Sequence, residues 1–255
     1  MNGVLERTVG DFTAARKHLE EAVRLDPNRY STRFNLGCTL EQLQDHAGAR
    51  GQLQKAIELD PTEPESRFEL AKVLRKLGKT DAAQQQLLLY QKQLKDKSDR
   101  SLAAQKSTQA AEAARAGDKQ KAVALYREAI AVLPDNTRLL YQLALLLSDL
   151  NDTKGERAAL EQAVKIDPNF ALAQYQLGNL DSRDGDTAGA EQQYRLAIKA
   201  SPGYVQAWLA LASTLALESR IPDALQAVDS ALKIAPDNSE ALELRKNLAA
   251  GQAQR

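Results

Sequence analysis

Cys38 and His46, eight residues apart, are the nearest thing in this chain to a nucleophile-and-base or metal-binding pair. Two ligands do not close a zinc site, and helical spacing puts Cys38 on the same face as Phe34, so it reads as a small buried or groove-lining thiol. The other histidine, His18, lies in a different part of the chain, and neither histidine belongs to an H-E-x-x-H arrangement. No G-x-x-x-x-G-K-[ST] phosphate loop or strand-borne G-x-G-x-x-G occurs. Paired carboxylates such as Glu20 and Glu21 serve the solubility of a helix surface rather than general acid and base work. The Asp, Gly and Asn of the turns lack the ligand spacing that calcium requires. These residues point to no enzyme, no metal and no other cofactor. What remains is charge. From Lys72 to Arg127 there are thirteen Lys and Arg against five Asp and Glu, and Lys72, Arg75 and Lys76 rise from one helix beside Phe68. Arg115, Arg138 and Arg183 extend the basic series, and an acidic or carboxylate-ended peptide is its natural partner. The plain alternative is a solvated helix face.

The elements that must position these groups are set by a ruler. Pro27 and Pro61 are 34 residues apart, and Pro134, Pro168, Pro202 and Pro236 continue at that interval after one gap of 73. A period of this size marks a chain built by stacking one supersecondary unit. Ala22, Ala56, Ala129, Ala163, Ala197 and Ala231 each precede a proline of the series by five residues, as expected where a helix crosses its neighbour closely. Turns recur at Gly10-Asp11, Gly78-Lys79, Gly117-Asp118, Asn151-Asp152 and Gly185-Asp186, with Ser219 to Pro222 in the last copy. Gly and Asn end a helix in positive φ, and the acidic residue suits the next helix's positive end. Between these marks apolar residues follow helical spacing, as in Leu139, Leu140, Leu143, Ala144 and Leu147, and no stretch alternates as a strand would. Each unit is therefore helix, short turn, helix, closed by proline.

On these residues the chain resembles the tetratricopeptide repeat family. The family pattern W-x2-L-G-x2-Y, A-x3-F, P is met by Leu36-Gly37, Ala49, Leu53 and Pro61, by Leu177-Gly178, Ala190, Tyr194 and Pro202, and by Trp208, Leu211, Ala224 and Pro236. The resemblance implies an all-α, right-handed superhelical solenoid of seven copies whose first helices line a concave groove. It maps one inward site to Phe34, Phe68, Tyr141 and Tyr175, with Ser107 and Leu209 in the fourth and seventh copies, and makes Trp208 a core residue. Part-exposed rings anchor ligands well, and packing between neighbouring first helices is the alternative for the same rings. The implied function is a non-catalytic scaffold that binds a protein, peptide or partner helix. The lysine and asparagine clamp that relatives use on chaperone tails is absent, because aromatic residues hold the lysine sites and only Asn179 keeps its asparagine.

Departures from the pattern divide the chain. Residues 1–97 hold three copies, the first shortened so that Gly3 takes the place of the family's helical glycine, and the third degenerate, with Tyr90 at the crowded alanine site and Lys95 at the proline site. Residues 98–102 are an insert and hinge candidate, 103–238 hold copies four to seven, and 239–255 form a terminal helix and tail. The shortened first copy is expected to leave an apolar edge, to be covered by a second copy, by a partner or by more of a longer array. The accessory part of a larger enzyme and a self-associating module are therefore the other readings open.

Composition agrees. Formal net charge is zero, which argues against nucleic acid, and only 5% of residues are aromatic, too few for one thick core but enough for thin layers. A single cysteine forms no internal disulfide. No window approaches a membrane span, and the polar start around Glu6, Arg7 and Asp11 favours the cytoplasm over secretion.

Overall fold

A computed structural model of the chain describes residues 2–253, with side chains described for residues 3–250. Among them there are fourteen helices and no strand. They follow one another as α1 (Asn2–Val9), α2 (Phe12–Leu25), α3 (Tyr30–Gln42), α4 (His46–Leu59), α5 (Glu65–Lys76), α6 (Thr80–Arg115) and α7 (Lys119–Val132). The series continues with α8 (Thr137–Asp149), α9 (Thr153–Ile166), α10 (Ala171–Arg183), α11 (Thr187–Ala200), α12 (Val205–Leu217), α13 (Ile221–Ile234) and α14 (Ser239–Ala253). Two compact units result, one ending at Asp99 and one starting at Arg100. Each is a stack of helical hairpins, the all-α solenoid that the period implies.

Local chemistry explains the hairpins. At every turn inside a copy one residue takes positive φ: Gly10, Gln44, Gly78, Gly117, Asn151, Gly185 and Ser219. The next residue is an aspartate in five of the seven, and its carboxylate accepts from a backbone N–H three positions on, as Asp11 does from Ala14 (3.0 Å) and Asp186 from Gly189 (2.8 Å). Each such cap is worth ~0.5–2 kcal/mol. Gln44 is a turn residue the sequence does not announce, since neither Gly nor Asn marks it. Asp45 behind it still caps α4 through Gly48.

The recurring alanine acts through both its side chain and its carbonyl. Ala56, Ala129, Ala163, Ala197 and Ala231 are completely buried, and each carbonyl accepts from the residue just before the copy's closing proline. Ala22 makes the same bond to Asp26 but is only partly covered.

The unit ending at Asp99 has one core, built around Leu36, Leu53, Leu70 and Val73. The unit from Arg100 has two, one around Leu140, Leu160 and Leu180 and one around Leu211, Leu215 and Val228. In the first copy Gly3 lies against Leu19 as Gly37 lies against Leu53, so α1 packs on α2 as a first helix packs on its second.

Residues 98–102, expected as an insert between copies, are helical. They lie inside α6, which joins the second helix of the third copy to the first helix of the fourth without a break. The reason is compositional: from Thr80 to Arg115 there is neither Gly nor Pro, while Ala, Gln, Lys and Leu abound. The boundary between the two units falls within this helix. The tail beyond Ala253 lies outside the described residues.

Candidate functional site

The expected inward residues all lie on first helices, and they fall into two sets. Phe34, Phe68, Lys72, Arg75 and Lys76 belong to the unit ending at Asp99, and Arg115, Arg138, Tyr141, Tyr175 and Arg183 to the unit from Arg100.

In the first set Phe34 packs against the core and stacks on Tyr30, with ring centres 5.9 Å apart and planes at 10°. Phe68 is more open. The residue is 39% exposed, its ring tilts against Tyr90 at 5.2 Å, and the Lys72 ammonium lies 5.9 Å from its centre. Lys72 also donates to Glu69 at 2.7 Å, and that hydrogen bond raises its pKa. The ammonium is thus firmly charged, with part of its hydrogen-bonding capacity directed to its own helix. Arg75 and Lys76 are exposed in the last turn of α5, where the helix dipole favours cations. Tyr90, the residue that breaks the alanine series, is therefore the ring that supports Phe68.

In the second set Tyr141 meets Phe170 edge-on at 5.6 Å, and Tyr175 lies between Tyr194 at 5.9 Å and Tyr204 at 5.1 Å. Burial, first of all, and the nearby Tyr175 push the Tyr194 and Tyr204 hydroxyls up to about 12, so both stay neutral. Tyr194 donates to Asn179 at 2.9 Å. Arg115 and Arg138 are exposed, the first in the last turn of α6 and the second in the first turn of α8.

Arg183 differs from its companions. It donates to Glu156 at 3.0 Å, a carboxylate only 5% exposed, and so neutralises a buried charge. A salt bridge of this kind draws Arg183 away from a ligand, because withdrawing the arginine would leave Glu156 unpaired.

The partners of the aromatic series, Tyr30, Phe170 and Tyr204, are residues that the spacing of inward sites did not select. Their own spacing could have found them: Phe170 and Tyr204 are 34 residues apart, each just ahead of a first helix. Trp208 is partly buried and donates its indole N–H to the Pro202 carbonyl at 3.0 Å, tying α12 to the loop before it.

Cys38 is 8% exposed, and burial pushes its thiol up to about 12, far from the thiolate that nucleophilic or metal chemistry uses. His18 hydrogen-bonds Glu6 at 2.8 Å and His46 opens α4. Among the described residues no three His, Cys, Asp or Glu side chains gather as a metal site, and no helix is long and apolar enough to cross a membrane.

Three family models, each described as tetratricopeptide repeat, match this sequence: one over residues 1–64 and 175–239, one over 53–85 and one over 137–170. No curated protein sequence matches it significantly. Among solved structures, the hetero-tetramer Cut9-Hcn1 of the APC/C is similar at 15% identity with a TM-score of 0.52, covering 91% of this chain and 46% of that one. YrrB, described as a TPR protein with an unusual peptide-binding site, matches at 19% identity and TM-score 0.46 over 89% of this chain and 97% of its own. MamA matches at 15% identity and TM-score 0.43 over 83% and 94% respectively.

Proposed function

This chain belongs to the tetratricopeptide repeat family, and on that premise we propose that it is a protein-interaction scaffold that holds a peptide or partner helix, of acidic character, on the faces of its first helices. The observation that carries the reading is the cluster on α5, where the half-open Phe68 ring has both Tyr90 and the Lys72 ammonium beside it, with Arg75 and Lys76 farther along the helix. A ring so placed offers about 2 kcal/mol or more if a ligand covers it, and the cations beside it select for carboxylates. Stacked helices are ordered before the ligand arrives, so little conformational entropy is lost on docking. Reversing Lys72, Arg75 and Lys76 to glutamate tests the charge of the face. Loss of an acidic peptide with unchanged helicity supports the reading, and unchanged binding removes it.

A second reading has its own observation. On α1, Val4, Leu5 and Val9 are 42%, 67% and 75% exposed, an apolar row suited to a second copy of the chain. Sedimentation that shows a monomer at high concentration would exclude it.

A further inference from the structure

We propose that the unit from Arg100 contains a pocket, between α6 and α8, that receives the acidic side chain of a bound peptide. The proposal rests on the peptide-scaffold reading and names a specificity site within it.

The aromatic repetition breaks once. Tyr141 pairs with Phe170, and one interval later Tyr175 pairs with Tyr204. One interval earlier, 34 residues before each member of the first pair, stand Ser107 and Asn136. Two rings are thus replaced by a hydroxyl and an amide, and a cavity of about 440 Å³ opens there. That volume falls in the ~300–1,000 Å³ range of ligand pockets.

The lining defines the ligand. Besides Ser107 and Asn136 it includes Arg100, Arg138, Thr108 and Gln142. Ser107 lies 3.4 Å from the Gln142 amide oxygen and donates to it, while the Asn136 oxygen caps the Leu139 N–H. Thr108 donates to the Ala104 carbonyl. The Gln142 NH₂ therefore remains a donor with no partner among the described residues. Arg100 and Arg138 are exposed at the cavity and make no ion pair among the described residues, whereas nearby Lys106 is held by Glu128 at 2.6 Å. Asp135 lines an adjoining cavity that shares Arg100. The first turn of α8 adds its positive helix end. Side-chain donors and a planar fork suit a glutamate or aspartate carboxylate better than an apolar anchor.

A random-peptide display library panned on the full chain tests this. Selected peptides should carry a fixed acidic residue, and its change to the amide should weaken binding about tenfold or more. The same change should have no effect in Arg100→Ala/Arg138→Ala, whose surface substitutions leave folding intact, and none in Ser107→Tyr/Asn136→Phe, which rebuilds the ring pair and closes the cavity. A thermal melt confirms that the second variant folds. Peptides without an acidic preference, or whose acid couples only to Lys72, Arg75 and Lys76, overturn the pocket and leave the scaffold reading standing. No enriched peptide at all overturns both.

Discussion

Gly178 on α10 lies so close to Tyr194 on α11 that a Cβ built on it would stand 2.6 Å from the ring's Cε1. Gly37 and Leu53 repeat the relationship at 2.6 Å in another copy. Close approach of this kind holds the two helices of a copy together and so fixes where the first helix presents its outer face.

Gly178→Ala should therefore lower stability by ~1–3 kcal/mol through overpacking, despite the better helix propensity of alanine. Gly51 on α4 meets nothing within 4 Å, and Gly51→Ala should raise stability by ~0.5–1 kcal/mol. Urea unfolding of the two variants against the parent separates packing from propensity.

Cys38 links stability to alkaline pH. Its thiol rises in the folded chain from an ordinary 9.0 to about 12 because it is buried, so between those values the folded state holds a proton that the unfolded chain releases. Its contribution is complete below pH 9 and is lost as pH climbs toward 12, with a slope of at most ~1.4 kcal/mol per pH unit. Tyr194 and Tyr204 act in the same direction. Alkylation by iodoacetamide at neutral pH should track unfolding, and rapid modification of the native chain would contradict the burial argument.

Arg183→Ala should destabilise the chain without weakening peptide binding, because it strands the buried Glu156. Losing one partner of a buried pair costs ~3–5 kcal/mol at the upper end, and the half-exposed arginine puts the expected loss well below that. Arg183→Ala/Glu156→Gln should recover most of it, as a thermal melt would show.

The sequence made the period, the hairpins and the paired first and second helices readable because proline, alanine and turn residues each obey one spacing. It did not announce the turn at Gln44, where an exposed, ordinary side chain takes φ 61°. Residues 98–102 disturb the spacing and so read as an insert, and local propensity makes that segment helix. Of the candidate site, spacing picks out the recurring rings Phe68, Tyr141 and Tyr175, while the rings packed against them, Tyr90, Phe170 and Tyr204, depend on contacts between helices. The ion pair of Arg183 could not be seen, since Glu156 is 27 residues away.

The hinge candidate at 98–102, together with the residues from Lys92 that lead into it, carries mostly exposed side chains along α6. Few buried apolar contacts restrain it, so limited trypsin digestion should cut first at Lys92, Lys95, Lys97 or Arg100. Initial cleavage elsewhere would remove the hinge.

The most direct measurement is backbone amide chemical-shift mapping of the full chain with a display-selected acidic peptide. The shifts should concentrate on first helices, α5, α8 and α10 among them, vanish with Lys72, Arg75 and Lys76 reversed, and diminish around α8 with Arg100 and Arg138 removed. Shifts confined to second helices such as α4, α9 and α11 would contradict that placement.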